Sequence, residues 1–329
     1  MKGLILCAGK GTRLQPFTNI KPKGLLPVAN KPLIHYGIEK LVELGIDEIG
    51  IVIRPNLHPM FMDEVGAGER WNVNITYIFQ INPLGISDAV KHAEPFMNNE
   101  PFILLLGDNL ITQDLHGLCH AITHDNHDAA ILLRKVMNPK QFGIAQVNKD
   151  RIIGLEEKPS EPKSDLAVLG SYAFKPSIFK AVNAISPSAR GEYEITDAIQ
   201  WLIHQQYSVS YQTTDKNFSD VGTMEGWLEA NRWMLKQLEE EGLLKTPSES
   251  EYPGTTIIPP VCIDPSAELI NCVIGPYVTI GPNVRLESCI LENSILLEYA
   301  ILNPNHYPMT NSIISPQSVF VQKDGGSGK

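Results

Sequence analysis

The chain is poor in several features that mark whole protein classes. It has only five cysteines in 329 residues (Cys7, Cys119, Cys262, Cys272 and Cys289), a sparse and odd set that excludes a disulfide scaffold. It has no basic excess. Lysine and arginine number 27 against 37 aspartates and glutamates, a formal net charge of −10. A nucleic-acid partner is therefore not expected, because such binders carry a basic excess or stripe, although a local basic pocket for a phosphate remains compatible with overall acidity. Much of the acid is local, as in Glu239-Glu240-Glu241, which reads as a solvated helix end. Long apolar runs are missing too. The longest are five residues, as in Phe102 to Leu106, which has the length of a buried strand and falls far short of the ~20 residues of a membrane span. No membrane partner is expected, and the short apolar stretch that stops at Gly9 is unlike a signal peptide. These absences lead to the expectation of a cytoplasmic protein in a reducing compartment. What is present is a globular balance, with 43% hydrophobic residues, over a length suited to two domains.

The first half alternates strand and helix. Lys2–Cys7, Glu48–Ile53, Ile75–Phe79 and Phe102–Leu106 are short apolar runs and read as buried strands. Lys31–Leu44 carries a helical stripe (Leu33, Ile34, Ile38, Leu41, Val42), with Pro32 in its first turn and Gly45 as its stop. Ser87–Phe96 reads as a helix. This grammar predicts βαβ units and a mostly parallel, Rossmann-like α/β sheet, in which ligands bind at strand C-termini near a switch in strand order. Further strands are expected at Ala129–Lys135, Gly143–Val147, Ile152–Glu157, Val168–Phe174 and Ser208–Thr213. Helices are expected at Ser177–Ala184, Glu194–His204 and Thr223–Glu241. Residues 1–242 thus read as one domain and the polar stretch 243–253 as a linker.

After the linker the period changes. Aliphatic residues recur six apart at Ile257, Ile263 and Leu269. After a five-residue step they continue at Ile274, Ile280 and Leu286, then by shorter steps to Leu291, Leu296 and Leu302. Ile274-Gly-Pro-Tyr-Val and Ile280-Gly-Pro-Asn-Val are tandem near-copies. A hexapeptide period predicts a left-handed parallel β-helix over 254–322, with an irregularity at Asn303–Thr310 and a flexible tail at 323–329.

The strongest chemical signal is the run Leu6-Cys-Ala-Gly-Lys-Gly-Thr-Arg-Leu-Gln-Pro-Phe-Thr-Asn-Ile-Lys-Pro-Lys23, directly after the first strand. Gly9 and Gly11 let the backbone approach a phosphate, and backbone N–H groups there cradle anionic oxygens. Arg13 offers a planar fork and Lys23 a point charge. The run is neither a Walker loop nor a dinucleotide fingerprint, since the Gly-Lys-Ser/Thr ending and the third glycine are missing.

Together with Pro27-Val-Ala-Asn-Lys-Pro-Leu33, this run resembles the sugar-phosphate nucleotidylyltransferases. Within them it is most similar to the long-form glucose-1-phosphate thymidylyltransferases with a C-terminal β-helix. The likeness extends from Met1 to about Val321. Further pieces match in order: Gly107-Asp108-Asn109, Gly143 after Phe142, Glu157-Lys158-Pro159, Gly170-Ser-Tyr172, Arg190-Gly-Glu-Tyr-Glu-Ile-Thr-Asp197, and Ser219-Asp220-Val-Gly-Thr223. The resemblance implies attack of a sugar-phosphate oxygen on the α-phosphorus of a nucleoside triphosphate. Both reactants are anions, so catalysis rests on charge neutralisation and in-line positioning.

By this resemblance Asp108 and Asp220 are the carboxylates for Mg²⁺, a hard ion that takes oxygen ligands. Arg13 and Lys23 neutralise the triphosphate. Lys158 holds the phosphate of the sugar phosphate. Leu6, Ala8, Gly9, Gly11, Thr12, Arg13, Gln80, Gly85 and Asp108 are implied on the nucleotide side. Asn109, Gly143, Glu157, Lys158, Tyr172 and Arg190 are implied on the sugar side, with Glu157 accepting from hydroxyls. The implied reaction joins dTTP to glucose-1-phosphate, and the implied assembly is a homo-oligomer.

Some alternatives stay open. One methyl separates dTTP from UTP, and the acidic Asp88 of Gly85-Ile-Ser-Asp88 departs from the family pattern near the base. Phe218-Ser-Asp220 stands where the family has Trp-x-Asp. A catalytically silent, nucleotide-sugar-binding regulatory subunit is a second reading. Taken singly, Asp108 also reads as a turn residue and Asp220 as a helix N-cap. Two other patterns are weighed and set aside. His116, His120, His124 and His127 have spacings that place them on one exposed helix face, but without a zinc-enzyme motif. His306 in the repeat region suggests an acyl-transfer base, but the array is short and irregular there.

Overall fold

The apolar runs between Lys2 and Thr213 form one nine-stranded sheet. The computed structural model describes residues 1–245, 251–303 and 308–321, and the chain divides into two compact units, Met1–Lys10 with Ile34–Phe218 and Gly11–Leu33 with Ser219–Lys329. The sheet of the first unit comprises β1 (Lys2–Leu6), β2 (Glu48–Ile53), β3 (Asn74–Phe79), β4 (Phe102–Leu106), β5 (Ala129–Lys135), β6 (Gly143–Asn148), β7 (Arg151–Glu157), β8 (Leu166–Phe174) and β9 (Val209–Thr213). Its order is β3-β2-β1-β4-β8-β5-β9-β7-β6.

The expectation of a mostly parallel sheet holds only for β3, β2, β1 and β4, which pair parallel throughout. Beyond β4 the sheet is mixed. Strand β8 runs antiparallel to both β4 and β5, β9 runs parallel to β5, and β7 is antiparallel to β9 and β6. The reason is local for one pair. Asn148 lies opposite Arg151, so only Lys149 and Asp150 connect β6 to β7, with Lys149 at φ 54°. A two-residue loop with positive φ makes a hairpin and cannot make a crossover.

The helices cover the sheet by their apolar stripes. They are α1 (Leu33–Glu43), α2 (His58–Val65), α3 (Ile86–His92), α4 (Glu94–Met97), α5 (His116–Thr123), α6 (Ser177–Ala184) and α7 (Ile195–His204). In α7 the buried residues are Ile195, Ala198, Ile199 and Leu202, the spacing of one helix face. They join Leu4, Val52, Leu104, Ile131 and Phe174 in the core, and burial of a residue such as Leu202 contributes about 1.5–3 kcal/mol. The single helix expected over 87–96 is two, interrupted at Ala93, with Pro95 in the first turn of the second. Helix α5 stops at Thr123, because Asn126 at φ 63° turns the chain. His124 and His127 therefore lie beyond it, and the four histidines do not share a helix face. His127 Nδ1 instead lies 2.6 Å from Ser208 Oγ.

In the second unit, Gly11–Leu33 forms three short 3-10 turns and a small hairpin of Pro27–Val28 with Lys31–Pro32. Helix α8 (Met224–Glu240) buries Trp227, Leu228, Asn231, Met234 and Leu235, and Thr223 caps its start by accepting from Gly226 N at 3.1 Å. From Thr256 onward, successive short strands visit three ladders in rotation, parallel except for an added final strand. The first ladder stacks Thr256–Ile257, Val273–Ile274, Ile290–Glu292 and Met309–Thr310. The second stacks Val261–Ile263, Val278–Ile280, Ile295–Leu296 and Ser312–Ile314, with Val319–Val321 added antiparallel. The third stacks Glu268–Ile270, Arg285–Glu287 and Ile301–Leu302. The aliphatic residues singled out by their period are the ones that stack: Ile257 on Ile274 on Leu291, Ile263 on Ile280 on Leu296, Leu269 on Leu286 on Leu302. Each ladder buries its aliphatic residues against the next coil. His306, residues 246–250 of the linker and the tail after Val321 lie outside the described residues. Among the described residues no helix is long and apolar enough to cross a membrane.

Candidate functional site

Strand order places one group of candidates. The chain passes from β1 to β2 on one side and from β3 to β4 on the other, so the C-terminal ends of adjacent β1 and β4 flank a switch point. Leu6, Ala8 and Gly9 lie at the end of β1, and Gly107-Asp108-Asn109 follows β4. Cys7 N donates to Val52 O at 2.7 Å and Gly107 N to Leu6 O at 2.9 Å, tying the two exits together. The Cys7 thiol is buried between them. Burial, and then the nearby Asp108 carboxylate, push its pKa well above the usual thiol value, so it stays a protonated packing group. Asn109 is buried, and its Nδ2 donates to Leu169 O at 2.7 Å. Its Oδ1 is buried with no described partner, as is the hydroxyl of nearby Ser171. A buried amide oxygen and a buried hydroxyl without described partners at a strand end call for a water or a ligand group there.

A second group gathers around Glu157, at the end of β7. Arg190 Nη1 donates to Glu157 Oε1 at 3.3 Å, Thr196 Oγ1 donates to Oε2 at 3.3 Å, and Lys158 Nζ lies 3.8 Å from Oε1. A Cβ on Gly143 would lie 3.0 Å from Glu157 Oε2, so this position keeps the carboxylate accessible. Tyr172 is buried on β8, and burial, reinforced by the Glu157 charge, raises its hydroxyl pKa far above normal. Lys158 is exposed and adopts φ 43°, a left-handed conformation that costs a non-glycine residue energy and is concentrated at functional sites. The structure therefore brings together Gly143, Glu157, Lys158, Tyr172 and Arg190. It adds Thr196, which the sequence carried inside the Arg190–Asp197 run without distinguishing it.

Gln80 follows β3 and is buried, with its backbone N donating to Ile53 O at 2.9 Å. Its Nε2 donates to Asp88 Oδ2 at 2.6 Å and to Gly85 O at 3.3 Å. Gly85 sits at φ 116°, and a Cβ there would lie 2.6 Å from Tyr193 O. Tyr193 N donates to Leu84 O, Ser87 N to Tyr193 O, and Ser87 Oγ to Glu194 O. The segment Leu84–Ser87 is thus zipped onto Tyr193–Glu194, a contact with no signal in the local sequence.

The remaining candidates belong to the second unit. Gly11 turns at φ 64°, and Thr18 Oγ1 donates to its carbonyl at 2.8 Å. Buried Leu14 and Phe17 anchor the loop, and the Phe17 ring meets the Trp227 ring edge-on at 5.8 Å. This anchoring leaves Thr12 and Arg13 exposed. Lys23 Nζ donates to Asp220 O at 3.2 Å. A Cβ on Gly222 would lie 3.2 Å from both Arg13 Nη2 and Asp220 Oδ2. Arg13, Lys23 and Asp220 therefore form one patch. Asp220 is exposed and is not the helix N-cap, a place taken by Thr223.

Among the described residues no three His, Cys, Asp or Glu side chains cluster as a metal cage. Mg²⁺ does not depend on such a cage, since it takes one or two carboxylates and completes its shell with water and phosphate oxygens. Asp108 lies at the exit of β4 and Asp220 in the patch with Arg13 and Lys23, and each is a carboxylate of the kind a hard ion takes.

A family model described as nucleotidyl transferase matches residues 2–237. The low-salt glycan biosynthesis nucleotidyltransferase Agl11 of Haloferax volcanii is 37% identical over 323 residues, covering 92% of this chain and 89% of its own length. A glucose-1-phosphate thymidylyltransferase of Streptomyces antibioticus is 37% identical over 311 residues, covering 90% and 87%. Among solved structures, one from Bacillus anthracis, described as a glucose-1-phosphate thymidylyltransferase in complex with sucrose, is similar with a TM-score of 0.67 and 33% identity, covering 76% of this chain and 98% of that one.

Proposed function

The chain belongs to the nucleotidyl transferase family, and on that premise we propose that it joins glucose-1-phosphate to dTTP, giving dTDP-glucose and pyrophosphate. The observation that carries this reading is the patch in which Arg13 and Lys23 meet Asp220 on the glycine loop. Two cations beside a carboxylate suit a triphosphate that arrives with a divalent ion. A phosphate oxygen of the sugar phosphate attacks the α-phosphorus. One P–O bond forms, the bond to the β-phosphate bridge breaks, and pyrophosphate leaves with the electron pair. Mg²⁺ would supply charge neutralisation on the triphosphate, with Asp108 and Asp220 the carboxylates that the family resemblance assigns to it.

The chain's own residues do the rest. The loop from Leu6 through Gly9, Gly11 and Thr12 cradles the triphosphate by its backbone N–H groups. Arg13 and Lys23 neutralise it and the charge of the pentacoordinate transition state. Gln80 and Gly85 receive the base. Lys158 holds the sugar phosphate, Glu157 accepts from sugar hydroxyls, and Asn109, Gly143, Tyr172 and Arg190 shape that side. The three ladders form a left-handed parallel β-helix, and the protein works in the cytoplasm as a homo-oligomer. The test is pyrophosphate release with Mg²⁺ over a grid of dTTP, UTP, CTP, ATP and GTP against several sugar-1-phosphates. A maximum at dTTP with glucose-1-phosphate supports the reading. A maximum at UTP keeps the mechanism and changes the nucleotide, since one methyl in an apolar pocket is worth only ~1–3 kcal/mol. Silence of the folded protein across the grid rejects an enzyme in favour of a nucleotide-sugar-binding regulatory subunit.

A further inference from the structure

A primary amide presents two chemically opposite ends, and a side chain meant to read a hydrogen-bonding pattern must have one end chosen for it. For Gln80 the choice is made by two neighbours that only accept. The carboxylate of Asp88, through Oδ2, lies 2.6 Å from Nε2, and the carbonyl of Gly85 lies 3.3 Å from the same nitrogen. Both amide hydrogens are occupied on that side, and no described residue donates to Oε1. The reversed amide would put its oxygen against a carboxylate and a carbonyl, leaving three acceptors with no proton between them. Gln80 is 2% exposed, so water cannot repair that arrangement, and buried acceptors left without a proton are strongly disfavoured.

Asp88 is itself held firmly. It lies in the first turn of α3 between buried Ser87 and Ala89, with its side chain 13% exposed. Among the described residues the imidazole beside it is that of His92, whose Nδ1 lies 2.8 Å from Asp88 O and 3.8 Å from Oδ2. A first-turn acid also interacts favourably with a helix N-terminus, but that role needs no contact with Gln80 and does not explain the 2.6 Å bond.

We infer that Asp88 is a positioning residue for base selection: it fixes the Gln80 amide so that Oε1 faces the base as an acceptor. The inference rests on the reading above that Gln80 faces the base. An acceptor there takes the ring N3–H of thymine or uracil and meets a lone pair on N3 of cytosine. Asp88 would thus exclude cytidine nucleotides without touching them.

The test is steady-state pyrophosphate release by the full chain with dTTP, UTP and CTP, for the wild type, Asp88→Ala and Asp88→Asn. The wild type is expected to prefer dTTP or UTP over CTP. Asp88→Ala should narrow the ratio of kcat/KM values about tenfold, the equivalent of one well-made hydrogen bond, through a higher KM for dTTP and UTP with kcat within about twofold. Asp88→Asn keeps a carbonyl acceptor for Nε2 and should recover most of the discrimination. An unchanged ratio in Asp88→Ala, or an equal loss with all three triphosphates, overturns the inference and leaves the proposed function standing. A wild type that uses none of the three overturns both. Should Asp88→Ala not fold, Asp88→Ser, whose hydroxyl is too short to reach Gln80, is measured in its place with the same outcomes.

Discussion

Asn231 Oδ1 accepts from Thr279 Oγ1 at 2.8 Å, and the same oxygen accepts from Ala29 N at 2.9 Å. One side-chain atom of α8 thereby serves a strand of the second ladder and the hairpin that closes the glycine loop, with all three residues buried. Asn231→Leu leaves a buried amide N–H and a buried hydroxyl unsatisfied, and is expected to cost about 2 kcal/mol or more in urea denaturation. Adding Thr279→Val removes one orphan and should recover part of that loss, a coupling read by a double-mutant cycle.

Asp108→Asn is expected to abolish turnover while circular dichroism and melting stay near the wild type, because the residue is half-buried at a strand exit and outside the core. Removing divalent ions with a chelator should stop pyrophosphate release, and adding Mg²⁺ should restore it. Near-normal turnover of the variant would sink the metal assignment.

Gly85→Ala brings together two costs. The position has φ 116°, and its new Cβ would lie 2.6 Å from Tyr193 O and 2.8 Å from Tyr193 N, backbone atoms that cannot swing aside. The expected result is a KM for the triphosphate raised about tenfold or more, from strain of about 1–3 kcal/mol at this site, with a smaller effect on the KM for the sugar phosphate. Equal effects on both substrates would contradict it.

Burial dominates at Glu194 and raises its pKa, against a hydrogen bond from Ser188 and the charge of Arg190. Asp197 is raised by burial and then by the Glu194 charge. A carboxyl whose folded pKa lies above its unfolded value contributes stability that is full below the unfolded pKa and is lost as pH rises through the folded one. Glu194→Gln should therefore gain stability relative to the wild type as pH rises from near 4.5. Denaturation midpoints of the two proteins from pH 4 to 8 check this, and a difference independent of pH would refute it.

What the sequence disclosed divides along physical lines. Phe102–Leu106 was legible to the residue because five apolar positions between Pro101 and Gly107 admit one reading. The ladder residues Ile274, Ile280 and Leu286 were legible because a repeat multiplies a weak signal. Arg13 and Lys23 declared themselves by lying in one glycine-rich loop. The mixed half of the sheet was hidden, since apolar runs do not record strand direction. Helix α2 was hidden because eight residues beginning His58-Pro59 carry little periodicity. The contacts of Gln80 with Asp88, Gly85 with Tyr193 and Glu157 with Thr196 depend on tertiary packing and leave no mark on spacing. Asp88 was noticeable as an unexpected acid, but its bond with Gln80 became readable only from the fold.

The second unit is built from Gly11–Leu33 and from chain that begins at Ser219. On a ribosome those pieces are separated by the whole intervening synthesis, and domains acquire structure as their parts emerge. The glycine loop leaves the exit tunnel before Trp227, Asn231 and Thr279, which Pro27, Ala29 and Phe17 depend on directly or through one shared atom, and at about 5–20 residues per second those partners follow on the order of 10–50 s later. A nascent or prematurely terminated chain thus carries its glycine loop without the surfaces that shape it until translation has passed both α8 and the second ladder.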